Sequence, residues 1–191
     1  MPLQHALKEW ASICKALALG RQLVLLRKGG IDESTGQFKL EHKDFWLYPT
    51  FVHQTIEGLH PEAHHCYHLA LLGKPPDGYA RLTHFATVTA AYELHDMVGV
   101  YKLRPFHCWS EAAAESRFNY GRPGLHALVV RVHRAQRMHE FPETPAYAGC
   151  KSWVELEKAY PTENAIPVLT DAQFEEHRQQ IEAALRPIAR V

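Results

Sequence analysis

Several familiar signatures of chemistry are missing from this 191-residue sequence. Its four cysteines, Cys14, Cys66, Cys108 and Cys150, stand far apart and form no CxxC pair, so spacing gives neither a zinc ribbon nor a dithiol motif. There is no GxSxG, HExxH, GxGxxG or GxxxxGK[ST]. Serine-hydrolase, zincin, dinucleotide and P-loop readings therefore have no motif to rest on. No apolar run of roughly 18 residues occurs, and no leader pattern is visible, so a cytoplasmic, reducing location without membrane contact is expected. Net charge is also missing, with 21 basic against 21 acidic side chains. That balance argues against bulk electrostatic capture of nucleic acid or anionic membrane, and leaves local patches open.

What is present is a globular composition, 46% hydrophobic and 22% charged, on a chain long enough to bury a sizeable core. One domain over residues 1–191 is expected. The charges are unevenly placed. Residues 95–137 carry seven bases and three acids, and residues 138–191 carry nine acids and five bases. This polarity is compatible with an anion-binding face.

Leu3, Leu7, Trp10, Cys14 and Leu17 recur at steps of three and four, which predicts a helix over 3–19 that Gly20 stops. RQLVLLR (21–27) reads as a strand buried on both faces. Gly29-Gly30 and IDESTGQ form a turn, and Phe38–Tyr48 returns as a strand, so a hairpin is expected here. Thr50 is a plausible cap for a helix through Leu59. A helix over 61–72 starts at Pro61 and ends before Gly73. Phe85–Leu94, Gly99–Leu103 and 126–134 read as strands. Ser110 caps a short helix to about Phe118, and SWVELEKAY is short helix or strand. Thr170 with Gln173 makes a capping box for the last helix. The expected fold is α+β, with a mixed or antiparallel central sheet flanked by N-terminal, middle and C-terminal helices.

The candidate chemistry gathers at the expected hairpin. On a strand, Glu41 and Lys43 share a face because side chains repeat every two residues. With Asp32 they resemble the carboxylate-and-lysine arrangement of PD-(D/E)xK nucleases, whose hard oxygen ligands hold Mg²⁺ or Mn²⁺. Asp32 and Glu41 would be the metal ligands, Lys43 would orient the nucleophile or stabilise phosphate charge, and His53 would stand at the start of the next helix. Composition alone yields about one such triplet in a chain this size, and the proline of the signature is absent before Asp32. Arg27, Lys28, Gly29 and Gly30 follow a strand, where backbone N–H groups and cations can cradle phosphate; the plain alternative is a turn that needs glycine.

His60, His64 and His68 repeat every four residues beside Cys66, a pattern zinc accepts but that solvated or core-edge histidines also give. Aromatics and bases interleave through Tyr101, Lys102, Arg104, Phe106, Trp109, Arg117, Phe118, Tyr120 and Arg122. Such a mixture suits single-stranded nucleic acid, or places the rings in the core and the cations in water.

The stretches ALKEWASICKAL, LLRKGGI, FKLEHKDFWLYPTFVHQ and ETPAYAGCKSWVEL are similar to the bacterial family DUF1802 over nearly the whole chain. The resemblance carries no catalytic residue or cofactor with it. The functional expectation is a nucleic-acid-associated protein or a binder of a phosphate-bearing ligand, in its narrower form a metal-dependent phosphodiesterase. The alternatives are a non-enzymatic module that binds nucleic acid or nucleotide through Trp46, Tyr48, Trp109 and Arg104, and a protein that docks a partner on its last helix.

Overall fold

Phe45, Trp46, Leu47 and Tyr48 are four consecutive residues, all at most 2% exposed. Alternate side chains of a strand point to opposite sides, so this strand is covered on both faces. Phe45 and Leu47 join the larger core, and Trp46 and Tyr48 join a second one with Leu82, Phe85 and Tyr160. A computed structural model describes residues 2–28, 40–149 and 151–186 and shows the α+β architecture behind this pattern.

The strands are β1 (Leu3–Trp10), β2 (Val24–Arg27), β3 (Asp44–Thr50), β4 (Tyr79–Leu94), β5 (Leu125–Pro142), β6 (Trp153–Tyr160) and β7 (Ile166–Pro167). The helices are α1 (Ala11–Ala18), α2 (His64–Leu72), α3 (Met97–Lys102), α4 (Glu111–Asn119) and α5 (Asp171–Leu185). One mixed sheet runs in the order β2-β5-β4-β3-β1-β6, with β7 on β5. β1 and β3 are parallel, with Ala6 opposite Trp46, and the other pairs are antiparallel. Among the described residues no helix is long and apolar enough to cross a membrane.

The expected helix over 3–19 is half strand. Ala6 and Leu7 are adjacent and both 0% exposed, because β1 lies between β3 and β6 with a core on each side. Burial on both faces leaves no period of two to read, and a chance helical spacing stood in its place. The helix proper starts at Ala11. The expected hairpin is also corrected: β5 and β4 separate β2 from β3 in the sheet.

Residues 51–60 form turns, not a helix. Thr50 and Thr55 direct their hydroxyls at the backbone N–H groups of Val52 (3.3 Å) and Gly58 (3.2 Å), local bonds that compete with helix formation. Gly99–Leu103 falls on α3, whose cap is Asp96 accepting from the Gly99 N–H at 3.0 Å. SWVELEKAY resolves as β6. The helices at 61–72, after Ser110 and after Thr170 form as expected, the last with the full Thr170–Gln173 capping box.

Candidate anion site around Arg117 and the paired tryptophans

β1 ends in Glu9 and Trp10, and β2 ends in Arg27. Four strand steps at about 4.8 Å each would put these ends roughly 19 Å apart in a flat sheet. Yet the Arg27 guanidinium donates to Glu9 Oε2 at 2.9 Å and to the Lys8 carbonyl at 3.2 Å. The sheet therefore curls around the larger core and brings its two ends together. Glu9 is 3% exposed and Arg27 7%, so the pair is buried. The second carboxylate oxygen of Glu9 accepts from the Trp10 N–H at 2.9 Å.

Next to this pair lies a second arginine. Arg117, on α4, is half-buried, and its guanidinium sits 3.7 Å from the ring centre of Trp109 and 5.7 Å from that of Trp10. The two indoles touch, with centres 4.6 Å apart. Stacking of this kind holds a cation without neutralising it. Among the described residues the Arg117 side chain has no hydrogen bond and no carboxylate partner. Burial pushes its pKa down to about 10, opposed by the Glu9 charge and reinforced by the Arg27 charge. At neutral pH it stays protonated, so Glu9, Arg27 and Arg117 together carry one uncompensated positive charge.

Each partner has a local reason for its place. The ring of Trp10 packs onto the backbone at Gly58, where a Cβ would lie 2.5 Å from it. Ser110 caps α4 by accepting from the Ala113 N–H at 3.3 Å. Lys28 closes the other end of that helix, donating to the carbonyls of Phe118 at 2.9 Å and Gly124 at 2.8 Å, and to that of Arg122.

The residues anticipated from sequence divide accordingly. Arg27 and Trp109 meet in this cluster, and Lys28 anchors the helix that carries Arg117. Trp46 belongs to the core on the other face of the sheet, its Nε1–H donating to the Leu3 carbonyl at 3.1 Å. Tyr48 is there too, donating to Glu143 at 2.7 Å. Arg104 lies at the surface, 3.8 Å from Glu62. His53 is exposed in the turn after β3, in a left-handed conformation (φ 62°).

Glu41 and Lys43 are exposed in the coil that precedes β3, so strand alternation does not set their side chains. Between them His42 stacks on His5 at 3.6 Å. His5 shares a face of β1 with Glu9. Gly29, Gly30 and Asp32 lie outside the described residues. Among the described residues no group of three His, Cys, Asp or Glu side chains could hold a metal. His64 and His65 instead face the backbone carbonyls of Leu59 (3.3 Å) and Glu62 (2.9 Å). Glu9 and Trp10 were hidden by the helical reading of β1. Their one signal is a carboxylate beside a tryptophan in a segment otherwise apolar enough to be buried.

Among solved structures the ASCH protein of Zymomonas mobilis is similar at 15% identity and TM-score 0.46, over 81% of this chain and 87% of that one. A mutant of it is similar at 16% identity and TM-score 0.46, over 83% and 92%. No curated protein matches the chain. The family model described as a domain of unknown function, DUF1802, matches residues 6–180, and the chain belongs to that family.

Proposed function

We propose that this protein binds a phosphate-bearing ligand, nucleic acid foremost, with Arg117 as the counter-charge to the phosphate. The observation that carries the reading is the Arg117 guanidinium, held 3.7 Å from the ring centre of Trp109 with no carboxylate bonded to it among the described residues. A partly buried cation gains most from an anion that arrives with the ligand, because the surroundings screen it less than water does. Guanidinium also matches phosphate through paired N–H donors. The half-buried Trp10 edge beside it offers apolar contact to a base or sugar. A chain without net charge has to recognise such a ligand locally, and this cluster is a local excess of one positive charge.

The test is indole fluorescence titrated with a short single-stranded RNA and with a nucleoside monophosphate. Binding should change the emission of Trp10 and Trp109. Arg117→Ala should weaken it by about tenfold or more, and Arg117→Lys by less. Equal affinity of the parent and Arg117→Ala would overturn the reading.

A further inference from the structure

Against α1 the structure holds a cavity of about 480 Å³, within the size range of small-molecule sites. The helix contributes Ala11, Cys14, Lys15 and Ala18, and the remaining wall comes from the end of β3, the turn at 73–78 and the start of β4. The ladder between β4 and β5 breaks between Leu82 and His84. Such irregularities re-aim side chains, and Thr83, His84 and Met138 all line the cavity here.

Two of the three cations in its lining are paired, and one of its carboxylates is met only by a neutral hydroxyl. Lys74 pairs with Asp77 at 2.7 Å, Arg81 pairs with Glu140 at 2.6 Å, and Glu143 accepts from Tyr48 at 2.7 Å. Lys15 is half-buried, and its side chain has no ion pair or hydrogen bond among the described residues. His84 adds no second charge at neutral pH, since burial and the Lys15 charge hold its pKa near 4. Its Nδ1 lies 2.8 Å from the Thr83 hydroxyl, giving a neutral polar pair near the lysine. Around the mouth stand four exposed apolar side chains: Val52 (63%), Met138 (58%), Tyr79 (44%) and Leu69 (38%). A lysine without an ionic partner, where the other two cations of the lining are paired, in a cavity rimmed by apolar groups, selects a particular shape of ligand chemistry.

We infer that this cavity is a second binding site, for a small organic anion with one acidic group on an apolar body, in which Lys15 receives the acidic group and the apolar rim covers the rest. It is independent of the Arg117 site.

The probe is 8-anilinonaphthalene-1-sulfonate, an aromatic body with a single sulfonate, followed by its fluorescence. Saturable binding is expected. Lys15→Met keeps most of the side chain's bulk, removes the charge, and should raise Kd by about tenfold. Ala18→Trp should block the probe by filling the cavity, and Arg117→Ala should leave its affinity unchanged. 1-Naphthoate should displace the probe, whereas inorganic phosphate at the same concentration should not. The inference is overturned if Lys15→Met binds the probe as well as the parent does, if Arg117→Ala abolishes binding, or if phosphate competes as well as naphthoate. The competition arm uses the unaltered protein and decides the matter even where a variant fails to fold.

Discussion

Glu9 and Arg27 form a buried ion pair at 2.9 Å although they lie on strands four places apart in the sheet. Breaking one side of such a pair strands a charge in the core. Arg27→Met should therefore cost about 3–5 kcal/mol of stability, whereas Glu9→Leu combined with Arg27→Met should recover much of that loss. Urea unfolding of both single variants and the double variant closes the cycle.

Lys28 gives a different expectation. Its ammonium holds three carbonyls at the end of α4, and charge-assisted bonds of this kind make Lys28→Met cost about 2 kcal/mol. Loss of that anchor should also loosen Arg117, the residue before Phe118, and weaken RNA binding without removing any ligand contact. An affinity that stays at the parent level while stability drops would separate the two roles.

Gly58 tests the tryptophan pair. A Cβ there would meet the Trp10 ring at 2.5 Å, and ring and backbone cannot both stay in place. Gly58→Ala should cost about 1–3 kcal/mol through overpacking. It should also change the intrinsic fluorescence by moving Trp10 off Trp109. An unshifted spectrum would show that the contact gives way elsewhere.

His107 sets a pH dependence. It is 3% exposed, and its Nδ1 accepts the Trp109 N–H at 3.2 Å. Burial, only partly opposed by the Val100 carbonyl, lowers its pKa to about 4. The unfolded chain takes up the proton near pH 6.5, so stability is fully present above that pH and falls as pH drops toward 4. The lost contribution is about 3 kcal/mol, from 1.36 kcal/mol per pKa unit. Chemical denaturation at pH 7.5 and pH 5 should show the fall, and His107→Gln should flatten it.

The parts of the fold legible in the sequence were those with local punctuation. Pro61, Ser110 and the Thr170–Gln173 box start helices where expected, because caps act within one turn. β1 was misread because its two covered faces erase the alternation that betrays a strand. α3 is hidden in the sequence because a helix of six residues shows little periodicity, leaving the Asp96 cap as its one local sign. At the site, Arg27 and Trp109 could be named from their chemistry. Their convergence could not, since it depends on the curl of the sheet, and no local pattern encodes which charged residue will be buried.

The parallel pairing of β1 with β3 has a consequence for how the molecule assembles. Ala6 meets Trp46 at a sequence separation of forty, and closing so long a segment is entropically slow compared with zipping adjacent antiparallel strands. The β1 end that supplies Glu9 and Trp10 should thus dock late, after the sheet it joins. A ligand that needs both Arg117 and the Trp10 edge then recognises only the finished molecule, and its binding would draw partly assembled chains toward the native state by mass action.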